Sequence, residues 1–167
     1  MNYIFSAIFL YIFLGVLLYI FQRRIIFNKS GHPGAPQDYN LTKTEEIYIK
    51  TEDSLDLLSW YHKGDNSLPL LVYFHGNSFH IGDRAYRIER YIERNWSVLL
   101  VSWRGFGGNK GNPTEKNLYK DAEAVLKWIK NNTEFKFKDL VIYGESLGSG
   151  AAVEMGTKYK FLSIVLE

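Results

Sequence analysis

Ser146 stands in Gly144-Glu145-Ser146-Leu147-Gly148, a G-x-S-x-G pattern between an apolar run (LVIY, 140–143) and a small-residue stretch (LGSGAAVEMG, 147–156). A serine on a tight strand-to-helix turn, with Gly144 and Gly148 easing the backbone on either side, is lifted clear and can attack an acyl carbon. The helix beginning beside it would aim free N–H groups and a positive dipole end at the oxyanion that forms. Such a hydroxyl is a weak nucleophile until a base takes its proton, and the base needs a third group to orient it. Downstream of Ser146 the sequence offers only Glu154 and Glu167 as acids and no histidine.

A second constellation is FHGNSFHIGDR (74–84), directly after the apolar run LLVYF. An oxyanion hole needs two N–H donors: one from the residue after the nucleophile, Leu147, and one from a loop facing it. His75-Gly76-Asn77 fits that loop, Gly76 allowing the backbone to turn an N–H inward. Asn77 N–H is the expected second donor, with Ser78 its neighbour. His75 and His80 read as structural side chains, and a role as catalytic base is the minority alternative. The third constellation is SWRGFGGNKGNPTE (102–115), whose four glycines suit a loop beside a pocket, with Pro113-Thr114-Glu115 as a helix entry. No Gly-Lys-Ser/Thr follows at phosphate-loop spacing, and Lys110 breaks G-x-G-x-x-G, so nucleotide binding is a weak reading. No histidine pairs with an acid at metal-ligand spacing. No metal is expected.

The elements that must position these residues alternate. Residues 46–50 and 55–61 read as an antiparallel pair across the turn Glu52-Asp53-Ser54. LLVYF, VLLVSW (98–103) and LVIY are continuous apolar runs of the kind found in parallel strands covered on both faces, and LSIVL (162–166) begins a fourth. Between them, Ile81, Ala85, Ile88 and Ile92, then Leu118, Ala122, Val125, Leu126 and Ile129, have helical spacing. Strands separated by helices imply a mostly parallel α/β sheet with right-handed crossovers.

Composition bounds the rest. The 167 residues are 46% hydrophobic and 23% charged with net charge +2, and no Lys/Arg run is dense enough for nucleic acid. There is no cysteine, so thiol catalysis is excluded. Residues 3–21 carry no charge and would span about 28 Å as a helix, close to the hydrocarbon thickness of a bilayer. They read as a single-pass membrane anchor. Arg23, Arg24 and Lys29 follow, which favours the soluble domain on the cytoplasmic side. Residues 22–44 read as linker and lead-in, and 45–167 as the folded domain.

Together the HGN loop, the RGFG-x-x-x-G-x-P-[ST]-E loop and the YGxSLG turn, in that order behind a hydrophobic anchor, resemble the α/β-hydrolase superfamily. The nearest resemblance is to its Bem46-like, S33-related membrane-anchored branch. The resemblance implies an α/β-hydrolase-type sheet with flanking helices and a nucleophile elbow at Ser146. It implies hydrolysis of an ester, thioester or amide of a small acyl substrate through an acyl-enzyme, without cofactor. Asn109 departs from a frequent serine, and Ser149 from a common glycine. The family's later strands, triad acid and terminal histidine have no counterpart within 167 residues. The expectation is therefore a C-terminally truncated domain: the N-terminal part of a serine hydrolase, with the missing partners on a complementing C-terminal chain or lost. A non-catalytic, membrane-anchored binding module or inactive remnant is the alternative.

Overall fold

The computed structural model describes residues 2–27 and 31–167. Helix α1 (Asn2–Ile26) comes first. Its stretch Tyr3–Ile26 has mean hydropathy 2.6 and is unburied, so it is long and apolar enough to cross a membrane. Where the sequence puts the end of the apolar span at residue 21, the helix continues through Arg23 and Arg24 to Ile26. Nothing in that stretch, neither glycine nor proline, breaks it.

The sheet begins with strands β1 (Thr44–Lys50) and β2 (Asp56–His62), paired antiparallel with Thr44 opposite His62 and Lys50 opposite Asp56. Four more strands follow: β3 (Leu70–Phe74), β4 (Ser97–Val101), β5 (Leu140–Gly144) and β6 (Ser163–Leu166). The order is β1-β2-β4-β3-β5-β6. β4, β3, β5 and β6 are mutually parallel, and β2 meets β4 antiparallel. From β3 the chain crosses to β4 on one side, then returns to place β5 on the other. That reversal sets the carboxyl ends of β3 and β5 side by side at a topological switch point, where α/β sheets place their sites.

Both faces of the central strands are covered, which is why their sequences are continuously apolar rather than alternating. Leu70, Val72, Phe74, Leu140 and Ile142 pack with helices α3 (Glu115–Asn132) and α4 (Leu147–Lys158) through Leu118, Ala122, Val125, Ala152 and Met155. Leu71, Tyr73, Val98, Leu100 and Val141 face the other way, against Ile81, Ala85 and Ile88. The helical stripe expected from Ile81 to Ile92 divides into a 3-10 turn, Ile81–Arg84, and α2 (Ala85–Ile92). β6 closes the sheet with Ile164, Val165 and Leu166 exposed.

Part of the segment read as linker is packed. Residues 28–30 lie outside the described residues, but Pro33, Pro36 and Leu41 are buried. The Tyr39 ring packs tilted against Trp60, centroids 5.4 Å apart, and its hydroxyl donates to the Pro33 carbonyl at 2.7 Å. Prolines with fixed φ lose little entropy on docking, so a polar, Pro-rich stretch can still lie against a sheet.

Candidate active site

Ser146 connects β5 to α4 with φ 47° and ψ −109°, left-handed backbone that a non-glycine residue adopts only under constraint. Strain of this kind costs about 1–3 kcal/mol and persists only where the surroundings enforce it. The constraint is steric. A Cβ on Gly144 would lie 2.6 Å from Ser149 Cα, and one on Gly148 would be driven into the Phe74 carbonyl, so α4 presses directly on the ends of β5 and β3. The turn is pinned by Glu145 N–H donating to Phe74 O at 2.9 Å and Ser146 N–H to Glu167 O at 2.7 Å. Ser146 is exposed, and its hydroxyl has no hydrogen bond among the described residues.

Gly76 faces this turn from the loop after β3. A Cβ there would lie 3.1 Å from Glu145 Oε1 and 3.4 Å from Ser146 Cβ, so the glycine is what admits the close approach of the two loops. Among the described residues, neither Leu147 N–H nor Asn77 N–H donates to a backbone carbonyl. Leu147 opens α4, where the first N–H groups have no partner inside the helix. The Asn77 side chain is engaged elsewhere: its Nδ2 donates to the Ile26 carbonyl at 2.9 Å and its Oδ1 accepts from Ser78 Oγ. The loop after β3 thereby caps the C-terminal end of α1.

His75 is fully buried beneath the site. Its Nδ1 lies 2.6 Å from Gly76 O, and its Nε2 accepts from Trp103 N–H at 3.3 Å, which fixes the Nδ1–H tautomer. Trp103 Nε1–H donates back to the His75 carbonyl at 2.8 Å. Burial foremost, aided by the Arg84 charge, pushes the His75 pKa down to about 4. Both ring nitrogens are used, and the ring joins the loop after β3 to the loop after β4. His80 lies at the start of the 3-10 turn, 2.9 Å from Asp83 without hydrogen-bond alignment. Neither ring is hydrogen-bonded to Ser146.

Two ion-pair networks escaped sequence reasoning. Arg84 donates Nε and Nη2 to Glu145 at 3.0 and 2.7 Å and Nη1 to Ser78 O at 2.7 Å, while Tyr73 OH donates to Glu145 Oε2 at 2.9 Å. Burial pushes the Glu145 carboxyl up. The hydrogen bonds from Arg84 and Tyr73 outweigh it, and the net shift is downward. The second network lies under the glycine-rich loop. Arg104 is buried against Asp121, with Nε and Nη2 at 2.8 and 2.6 Å from Oδ1, and its Nη1 reaches Asp53 at 2.6 Å. Gly105, Gly107, Gly108 and Gly111 all have positive φ around this anchor. Asn109, the departure from serine, accepts from Leu58 N–H at 2.9 Å and donates to Ser102 O, so it stitches the loop to β2. Glu145 and Arg104 lay inside recognised motifs. Nothing local pointed to their partners. Among the described residues, no three His, Asp or Glu side chains gather as a metal ion would need.

Comparison with known proteins bears on the family and the fold. Residues 65–164 match the family model described as serine aminopeptidase, S33. Protein bem46 of Schizosaccharomyces pombe is 30% identical over 74% of this chain and 42% of its own. An uncharacterized membrane protein of Saccharomyces cerevisiae, YNL320W, is 30% identical over 74% of this chain and 44% of its own. Among solved structures, the esterase Pf2001 of Pyrococcus furiosus superposes with TM-score 0.64 at 24% identity, over 75% of this chain and 50% of that one. The chain spans about half the length of the curated relatives it matches.

Proposed function

Because the chain belongs to the serine aminopeptidase S33 family of α/β-hydrolases, we propose that it supplies the nucleophile and both oxyanion donors of a membrane-anchored serine hydrolase. The observation that carries the reading is Ser146 itself: an exposed hydroxyl on strained backbone, unpartnered among the described residues, followed by the Leu147 N–H that has no carbonyl of its own and faced closely by Gly76.

In this reading an ester, thioester or amide carbonyl places its oxygen against Leu147 N–H and Asn77 N–H. Ser146 Oγ attacks the carbonyl carbon as a base takes its proton. The tetrahedral oxyanion collapses, the bond to the leaving alcohol, thiol or amine breaks, and that group departs with the proton the base returns. Water then attacks the acyl-enzyme by the same route, releasing the acid and restoring Ser146. The base and its orienting acid come from the part of the relatives' length outside these 167 residues, on the same chain or a complementing one. His75 is unsuited, because both ring nitrogens are engaged and protonation is disfavoured at neutral pH. α1 crosses the bilayer once, and Arg23 and Arg24 at its end hold the catalytic domain on the cytoplasmic side.

The test is fluorophosphonate labelling of the natural protein in its membranes, with Ser146→Ala as control. Labelling that disappears in the control is expected. A wild-type protein that stays unlabelled while other serine hydrolases in the same membranes react would overturn the catalytic reading and favour a binding module.

A further inference from the structure

A cleft of about 920 Å³ opens between the last turns of α1 and the first turns of α3 and α4. Its apolar lining includes Ile20, Ile26 and Phe27 from the end of α1, Leu118 from α3, and Leu147 and Ala151 from α4. Three features set it apart from an incidental gap. One wall is the last turns of the helix that is long and apolar enough to cross a membrane. The other end is Leu147, the residue directly after Ser146. The floor between them is smooth: Leu147, Gly150 and Ala151 share one face of α4, and a Cβ on Gly150 would meet nothing within 4 Å. The Asn77 hydrogen bond to Ile26 O ties the end of α1 to the loop that faces the Ser146 turn. The rim is polar: Gln22 and Arg23 from α1 and Thr114, Glu115 and Lys116 from the start of α3 also line the cleft.

We propose that this cleft is an acyl-chain site. Its occupant is the long unbranched chain of an amphiphile resident in the bilayer, which runs along α1 and brings its ester or thioester carbonyl to Ser146. The catalytic half of this statement rests on Ser146 as nucleophile; the binding half does not. A lipid chain is favoured over a soluble substrate because the apolar trough opens along the anchor helix. The anchor is then a wall of the substrate site as well as a tether.

Two readouts on the natural full-length protein test it. The first is photocrosslinking in phosphatidylcholine vesicles with a 16-carbon lysophosphatidylcholine bearing a diazirine within the first few carbons from the carbonyl, the end that the proposal sets beside Leu147. Adducts are expected on the peptides covering residues 115–119 and 147–151, and should fall about fivefold or more in Gly150→Trp, which fills the trough. The second is chain-length preference. Gly150→Trp should lower the ratio of p-nitrophenyl palmitate to p-nitrophenyl butyrate hydrolysis about tenfold or more. Gly150→Leu repeats both measurements with a smaller side chain, should the tryptophan impair folding. Adducts absent from those peptides, or adducts and chain-length preference unaltered in both variants, would overturn the site. Adducts that form and are lost in a protein whose Ser146 resists fluorophosphonate would keep the cleft and sink the catalytic reading. Labelling of Ser146 without adducts would do the reverse.

Discussion

Arg84 grips Glu145 through Nε and Nη2 at 3.0 and 2.7 Å while its Nη1 holds the Ser78 carbonyl at 2.7 Å. One guanidinium thus ties the loop that carries Asn77 to the residue preceding Ser146. The distance between the two proposed oxyanion donors depends on that grip, since each belongs to one of the two segments joined. Arg84→Met should destabilise the fold by about 3–5 kcal/mol, because it strands a largely buried carboxylate. It should also slow fluorophosphonate labelling of Ser146 more than the stability loss explains. Arg84→Lys should recover only part of both, since an ammonium cannot reproduce the planar fork. Thermal denaturation paired with labelling rates measures the two effects separately.

Acid sensitivity should trace to His75. Its folded pKa of about 4 lies below the ordinary value of 6.5, so between those limits the unfolded chain binds more protons than the folded one. Stability is therefore full above pH 6.5 and falls as pH drops toward 4, by roughly 3 kcal/mol in all. Glu145, whose carboxyl is also lowered, adds a loss in the same direction below its ordinary value of 4.5. Melting temperature recorded at steps from pH 7.5 to 4 should decline in the wild type and decline less in His75→Gln, the remaining loss below pH 6.5 belonging to His62, whose pKa burial also lowers.

Asp121 is fully buried and accepts three hydrogen bonds from Arg104. Asp121→Ala should cost about 3–5 kcal/mol by leaving the Arg104 guanidinium short of charge compensation. It should also loosen the glycine-rich loop, visible as faster amide exchange across residues 102–111. Loss of stability without a change in exchange there would refute the anchoring role.

Backbone strain at Ser146 predicts an inverse relation between stability and activity. Ser146→Gly relieves a positive φ of 47° at the expense of a more flexible unfolded chain, for a net gain of about 1 kcal/mol. The same change removes the nucleophile. Chemical denaturation should show the variant more stable than Ser146→Ala, which keeps a Cβ on the strained backbone; equal midpoints would argue against stored strain.

The order of strands and helices was legible because its signals are local. LLVYF, VLLV and LVIY could be apolar throughout only if both faces were covered, and β3, β4 and β5 are the buried centre of the sheet. The G-x-S-x-G glycines marked a turn where helix and strand collide, and Gly144 and Gly148 have no room for a Cβ. The segment after the anchor was less legible. Its prolines and polar residues signal an absence of regular structure, which is not the same as an absence of packing, and Pro36 and Leu41 are buried.

By itself the sequence determined the α/β alternation, the apolar span of α1, the serine turn, the loop after β3 that faces it and the glycine-rich loop after β4. Each of these is written in neighbouring residues through periodicity, glycine placement or hydropathy. Only the tertiary structure decided which charges are paired. Arg84 meets Glu145 across 61 residues, Asn77 meets Ile26 across 51, and Arg104 gathers Asp53 and Asp121 from opposite sides in sequence. A charged side chain in a sequence is satisfied by water as readily as by a partner, so nothing local names its mate. The crossover that sets β3 beside β5 brings the loops together, and burial there removes the water and compels the pairing.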